Sequence, residues 1–415
     1  MQRDADILIA GAGVAGLALG LQLGRAGHSV LLLDQAPAPR DKVCGEGLMP
    51  LGLNALRRLE LDPDELPGAY FRGLHYDTRR QHAQLDFGGG ALGRGLRRTA
   101  LIEALQRAAL ATGTVRIARE RVVAPLQRAG RIAGLRTSGG ERWGRAVVAA
   151  DGANGRLARL AGAVLRPTGY RMGVRLHLRG ARGAGLGRVC VGLFPPCDIY
   201  LTPVGGDTLL ATTMTTRAGY RAIFPCYEAF LRASPYGHWC AGGVAASPVL
   251  GWYHPLFEPR RFHVRGMLLV GDAGGGIDPC LGMGISIALR SAELALPVLR
   301  DMLREPVLSG RHADKFDRAR RELLAHYRLV DSVFRRLVAS PAGSALLLWH
   351  MRHWPIVANK LLDVIAQQRR WRSLALGDFL QPLVWGVLTG GGRGRSRRRA
   401  FRLPARVLRL WSRHD

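Results

Sequence analysis

The feature that most restricts this chain is the run Gly11-Ala12-Gly13-Val14-Ala15-Gly16, set between two short apolar segments, Ile7 to Ala10 and Ser29 to Leu33. Short apolar runs bounded by glycine suit strands buried on both faces, and Leu17 to Arg25, stopped at Gly27, suits a helix. The order is therefore strand, tight turn, helix and parallel strand. Gly11 permits the turn, Gly13 lets backbone N–H groups approach a pyrophosphate, and Gly16 lets helix and strand pack closely, with phosphates at the helix N-terminus. Asp34 closes the second strand 18 residues after Gly16, where a carboxylate accepts hydrogen bonds from a ribose and repels a 2′-phosphate. Gly11, Gly13, Ala15, Gly16 and Asp34 are thus candidate dinucleotide contacts.

Two distant motifs extend the site. Val147 to Ala150 is a second buried run ending in Asp151-Gly152, and Leu268 to Val270 is a third, ending in Gly271-Asp272-Ala273. After it come Gly274 to Gly276, Asp278-Pro279 and Gly282-Met283-Gly284, which opens a helix. If these strands lie beside the first, their carboxyl ends converge on one crevice, where open α/β sheets bind ligands. Asp272 then holds sugar-like hydroxyls, or else caps a helix, and the N–H groups around Gly282 to Ile285 face a polar ring edge.

At 415 residues, with 47% hydrophobic and 22% charged residues, the chain has the material for two or three globular domains. A disulfide-dependent mini-protein and wholesale disorder are both excluded. The pattern Leu101, Leu105, Ala108 suits a helix from about 98 to 109, and Gly139-Gly140 suits a small meander. From about Pro167 to His263 the texture is strands and hairpins, including Asp198 to Val204 and Thr208 to Thr213; after Ile285 everything reads as helical. The expected fold class is α/β: a Rossmann-like dinucleotide-binding domain (1–70, 95–165 and 263–300) with an inserted β-rich substrate domain (71–94 and 166–262). A helical C-terminal region (301–389) and an Arg-rich tail (390–415) follow.

The six cysteines contain no C-x-x-C, so neither a zinc knuckle nor a redox dithiol is indicated, and the metal expectation is none. The N-terminus carries no basic and apolar leader, which gives a cytoplasmic expectation. The apolar stretches Leu337 to Met351 and Phe379 to Gly392 are too short to span a bilayer. Charge is the departure from average: 60 Lys plus Arg against 31 Asp plus Glu, a net +29, with only Lys42, Lys315 and Lys360 as lysines. GC-rich coding explains an Arg bias of this kind; an anionic partner is the alternative. Residues 390–415 hold nine arginines and one aspartate, and read as a helix they separate Arg402, Arg406, Arg409 and Arg413 from Leu403, Val407, Leu410 and Trp411. That pattern suits an anionic membrane surface, with the protein peripheral on the inner face. Aromatic stacking motifs for nucleic acid are absent, so nucleic acid is disfavoured.

Together, Gly11 to Gly16 with Asp34, Ala150-Asp151-Gly152-Ala153-Asn154-Gly155 and Gly271-Asp272-Ala273 resemble the three signatures of FAD-dependent monooxygenases of the para-hydroxybenzoate hydroxylase type. Lys42-Val43-Cys44-Gly45-Glu46-Gly47-Leu48 resembles the K-x-C-G-x-G-L segment of geranylgeranyl reductases and related flavoproteins, including halogenases. The resemblance covers roughly residues 1–160 and 263–300. It implies that Asp272 meets the ribityl chain, that Arg40 and Arg98 lie near the phosphates, and that the loop from Cys44 and Gly45 to Gly47 lines the flavin. Asp151, Gly271, Pro279, Gly282, Gly284 and Ile285 complete the implied cofactor site. No second G-x-G-x-x-G follows a strand, so NAD(P)H is expected as a transient reductant of FAD.

Three activities stay open. Hydroxylation of a hydrophobic aromatic or polyketide-like molecule with dioxygen is preferred, on the Asp151-Gly152 motif. Saturation of isoprenoid double bonds is favoured by Lys42 to Leu48 and Asp278-Pro279. Membrane or nucleic-acid binding without turnover is the third. Gly274 stands where hydroxylases often carry histidine, and the halogenase W-x-W-x-I-P is absent. His177, Tyr200, Thr202, Thr212, Met214 and Trp239, taken from the expected sheet of the substrate domain, are candidates for contact with a lipophilic small molecule; no catalytic residue is singled out.

Overall fold

The computed structural model describes residues 3–36, 39, 41–304 and 310–367. Its centre is a six-stranded sheet in the order His263–Val264, Met267–Leu269, Ala146–Ala149, Ile7–Ala10, Val30–Asp34, Val115–Arg119. All neighbours are parallel except the first pair. Side chains alternate between two cores, as the strand period of two demands. Ile7, Ile9, Val148 and Leu268 face the helices Val14–Arg25, Arg98–Ala111 and Gly284–Arg304. Leu8, Ala10, Val147 and Leu269 face the other way, onto Ile132, Leu135 and Leu157. The first two of these lie in a three-stranded meander, Val122–Arg128, Arg131–Thr137 and Gly140–Trp143. Burial on both faces is why these strands read as unbroken apolar runs.

A larger sheet stands over the carboxyl ends of the parallel strands. Its spine is the 15-residue strand Leu165–Arg179, paired antiparallel with Thr208–Thr215 on one side and with Leu250–Pro259 and Val244–Ala245 on the other. Beyond Thr208–Thr215 come Cys197–Pro203, Val189–Phe194, Gly73–Asp77 and His82–Asp86. One face of this sheet looks toward the parallel sheet. The other packs Leu176, Ile199, Leu201 and Ala211 under three short helices.

Those helices correct the sequence expectation of strands and hairpins from 167 to 263. Arg217–Ile223, Tyr227–Ala233 and Gly237–Cys240 are helical. Thr216 accepts the Gly219 N–H at the first N-terminus, and Ile223, Tyr227 and Leu231 recur every four residues as one buried stripe. Trp239 accordingly leaves the sheet.

The chain continues as helices Gly284–Arg304, Gly310–Val338, Pro341–His353 and Pro355–Ile365. The apolar stretch from Leu337 to Met351 is not one element: Ser340 accepts the Gly343 N–H and Pro341 starts a new helix. The last helix is tied to the large sheet by Asn359, which accepts the Asp86 N–H, and by Asp363, which accepts the Gly88 N–H at 2.7 Å. Among the described residues no helix is long and apolar enough to cross a membrane. Arg40, Phe379 to Gly392 and the Arg-rich stretch 390–415 lie outside the described residues.

Candidate functional site

A cavity of about 840 Å³ opens where the parallel strands end beneath the large sheet. The first turn supplies Gly11, Gly13 and Ala15 to its wall. Gly16 lies beneath them: a Cβ there would sit 2.0 Å from the Gly11 carbonyl oxygen, and a Cβ on Gly11 would sit 2.4 Å from that of Ala150. Only hydrogen fits at these two positions, so helix and strands close to the distance a backbone cradle for phosphate requires. The Arg98 guanidinium reaches to within 4.0 Å of the place a Gly13 Cβ would occupy, and its Nε is buried without a partner. A glycine cradle with a half-buried guanidinium beside it, its Nε without a partner, matches a pyrophosphate.

Asp34 ends its strand at the same rim, with Oδ2 accepting from the Ala12 N–H at 2.8 Å and Oδ1 from the Ala36 N–H. Each oxygen keeps a second lone pair for a ribose hydroxyl. Asp151 also lines the cavity. Its Oδ2 accepts from the Leu157 N–H at 3.1 Å while Oδ1 is buried and unpartnered, and burial pushes the carboxyl up. Gly155 is what lets it turn back, since a Cβ there would strike the carboxylate.

Across the cavity Gly271 and Asp272 face Lys42, whose Nζ is 3.8 Å from Asp272 Oδ2 and 4.8 Å from the centroid of the Trp252 ring. Burial works to raise the Asp272 carboxyl, but Lys42, His254, Arg98 and Arg320 outweigh it and hold the group below its usual range. Asp272 does not cap a helix; it stays ionised, with a face toward the cavity. Pro279, Gly282, Gly284 and Ile285 line the adjoining wall, and Gly282 has φ +67°, so the helix Gly284–Arg304 opens onto the cavity at its N-terminus. A positive helix end there suits an anionic or carbonyl ring edge. Cys44 and Gly45 complete that wall, and burial pushes the Cys44 thiol up, so it stays protonated and is no nucleophile at neutral pH.

The large sheet supplies the roof. Tyr200, Thr202, Thr212 and Met214 line it, as strand alternation requires once Ile199, Leu201 and Ala211 point the other way. Two of the substrate candidates do not reach the cavity. Trp239 packs behind the sheet against Gly183, on the short helix described above. His177 is fully buried, with Nε2 2.8 Å from Glu46 Oε2 and Nδ1 near Ser247 and Arg175.

That contact reveals residues the sequence reading passed over. Glu46 is 1% exposed, sits at φ +52°, and accepts the Arg98 N–H through Oε1 as well as meeting His177. Arg175, also fully buried, pairs with Asp41. The two acids flanking the Lys42 to Glu46 loop are thereby pinned to the spine strand of the large sheet. A second cluster lies under the roof: Arg171 Nε is 2.7 Å from Asp278 Oδ2, and Asp198 Oδ2 is 3.9 Å from Cys280 Sγ. Nothing local signals either group, because the partners are more than 80 residues apart.

The FAD binding domain family model matches residues 4–175. Menaquinone reductase of Mycobacterium tuberculosis is 28% identical over 355 residues, covering 77% of this chain and 83% of its own length. The structure of the flavin-dependent brominase Bmp2 superimposes with TM-score 0.77 at 16% identity, covering 93% of this chain and all of that one. A geranylgeranyl bacteriochlorophyll reductase-like protein of Thermoplasma acidophilum gives 0.72 at 18% identity, covering 92% and 96%. At these identities the two structures speak for the fold.

Proposed function

Because the chain carries an FAD binding domain over residues 4–175 and is an FAD-dependent oxidoreductase, we propose that it saturates a double bond in a lipophilic, polyprenyl-bearing substrate of the menaquinone kind. FAD, when bound, supplies a hydride for such a reduction or activates dioxygen for a hydroxylation. The observation that carries the reductive reading is the uneven wall of the cavity. Its floor at the parallel sheet bears Asp34, Arg98, Asp151 and Asp272, whereas beside the roof residues Tyr200, Thr202 and Thr212 one stretch of wall is hydrocarbon: Leu74, Val189 and Val191 of the large sheet, Phe71 of the short strand Gly68–Phe71, and Leu362 and Ile365 of the helix Pro355–Ile365. An apolar annex joined to a polar dinucleotide floor suits a prenyl chain laid against a ring. The relatives named menaquinone reductase, matched over three quarters of the chain, support a reduction with menaquinone as substrate.

The residues at the site divide the work. The Gly11 to Gly16 turn and Arg98 hold phosphates, Asp34 and Asp272 hold hydroxyls, and the N-terminus of the helix Gly284–Arg304 stabilises negative charge on a ring edge. The roof excludes water and orients substrate. NAD(P)H is the proposed electron donor, acting transiently. Hydroxylation of a lipophilic aromatic is the second reading, favoured by the Asp151-Gly152 motif at the cavity floor.

The purified protein, loaded with FAD and reduced without oxygen, is expected to convert menaquinone in detergent micelles to a product heavier by one H2. Unchanged menaquinone under anaerobic conditions, together with uptake of labelled oxygen by an aromatic substrate in air, reverses the order of the two readings. For the Arg-rich stretch we propose an anionic lipid surface as partner, from which such a substrate would be delivered. The full chain is expected to float with anionic liposomes and a chain ending at Thr389 to float less; equal flotation removes that role.

A further inference from the structure

Tyr200 is a polar group of the roof that stands at the cavity wall. Its hydroxyl is buried, no protein nitrogen or oxygen pairs with it, and it lines the same cavity as Pro279 and Gly282. A buried hydroxyl without such a partner forfeits about 1–3 kcal/mol, so a well-packed site keeps one only where something else engages it. Beside it stands the Cys280 thiol, also in the cavity wall, and Cys280 Sγ is 3.9 Å from Asp198 Oδ2. Cys280 thus adjoins both Tyr200 and Asp198, and Tyr200 and Cys280 share the cavity wall. We infer that Tyr200 gives the proton that completes reduction of the substrate double bond, with Cys280 and Asp198 behind it as a proton file. This inference rests on the reductive reading above.

The step balances as follows. The alkene carbon that accepts hydride from a dihydroflavin gains one C–H bond. The neighbouring carbon forms the other as the Tyr200 O–H bond breaks. The Cys280 S–H proton passes to the Tyr200 oxygen and the Asp198 carboxyl proton passes to Cys280 sulfur, leaving one carboxylate. Hand-over along the file matters because burial pushes both the Tyr200 hydroxyl and the Cys280 thiol far up, so neither ends well as an anion. The charge comes to rest on Asp198, which faces Arg171.

Asp198 is suited to be the reservoir. Burial and the neighbouring Asp278 push its carboxyl up to about 7 against the pull of Arg171, so it carries its proton into the neutral range. The groups around it are Arg171, Asp278, Cys280 and Tyr200, and the carboxylate of Asp331 on the helix Gly310–Val338 faces Arg171 and Asp278 from the other side. Asp278 also lies against the Cys280 thiol, while its two oxygens take Arg171 and the Cys280 N–H. A general acid in such a place contributes roughly 10²–10⁴-fold.

Two measurements test this. In the first, the protein as purified is titrated by infrared spectroscopy. A protonated-carboxyl band that fades as pH rises through about 7 is expected; it should be missing in Asp198→Asn and displaced in Cys280→Ala. A band that survives Asp198→Asn, or that ignores Cys280→Ala, breaks the file. In the second, single turnovers of reduced holoenzyme on menaquinone are followed without oxygen. Tyr200→Phe, which keeps the ring and its packing, is expected to slow the reaction by roughly 10²–10⁴-fold with FAD retained. The wild-type rate should fall above about pH 7, and Asp198→Asn should flatten that limb. Tyr200→Phe turning over at the wild-type rate overturns the donor role alone. Wild type that leaves menaquinone unchanged overturns the reductive reading and the donor role with it, while the infrared titration still decides whether Asp198 and Cys280 share a proton.

Discussion

Gly11→Ala is expected to give a chain that does not keep FAD through desalting and whose denaturation midpoint drops sharply. Gly11 holds φ +107°, a conformation side chains rarely adopt, and its new Cβ would lie 2.4 Å from the Ala150 carbonyl oxygen and 2.7 Å from the carbonyl carbon. Neither backbone is free to yield. Gly11 N donates to Leu33 O and Ala150 N donates to Ala10 O, both at 2.8 Å, so three adjacent parallel strands are locked at this level. Strain costs about 1–3 kcal/mol and overpacking about 1–3 kcal/mol more, against a total stability on the order of 5–15 kcal/mol. Gly27→Ala is the informative comparison. It has φ +79° but nothing within 4 Å of the added methyl, so only the conformational term applies and FAD should be kept. If the two variants melt together and both stay yellow, the close approach at Gly11 is not what builds the cradle.

The second large effect is expected at Glu46, which does not touch the far strands by sequence proximity but ties them to the site. Glu46→Ala removes the acceptor of the Arg98 N–H and leaves His177, which is fully buried, without its carboxylate while Arg175 remains 2.8 Å from its other ring nitrogen. Breaking a buried polar pair from one side costs about 3–5 kcal/mol. Because Glu46 closes the loop that begins at Lys42, FAD affinity should fall with stability. Glu46→Gln keeps an acceptor for Arg98 and a group facing His177, so its loss should be smaller, on the order of 1–2 kcal/mol. Urea denaturation with FAD titration separates the cases. An alanine variant as stable as the glutamine variant would show that the contact with His177 holds nothing in place.

How much of this was readable beforehand follows from how far apart the cooperating residues lie. Strands buried on both faces declare themselves as apolar runs, and the glycines at 11, 13 and 16 are local requirements of one turn, so the parallel sheet and its phosphate cradle were legible. The hairpin of Cys197–Pro203 with Thr208–Thr215 was legible for a similar reason, since Gly205 and Gly206 both have positive φ. The helices between Arg217 and Cys240 were not. Each spans seven residues or fewer, and the stripe Ile223, Tyr227, Leu231 is broken by Pro225 into pieces too brief to register as a helical period. That one misreading put Trp239 at the substrate.

His177 shows the other kind of limit. Its place on an alternating strand pointed inward correctly, but inward meant Glu46, 131 residues away, and not the cavity. The same holds for Asp198 and Cys280, separated by 82 residues. By itself the sequence determined that this chain binds FAD at the ends of a parallel sheet, because a phosphate cradle is made by backbone and glycine over a few consecutive residues. Only the tertiary structure decided what stands above the flavin site: an apolar annex, a buried hydroxyl at Tyr200, and acids buried beside it. Those properties arise when the second sheet closes over the first and excludes water, and desolvation has no signature in the order of residues along a strand.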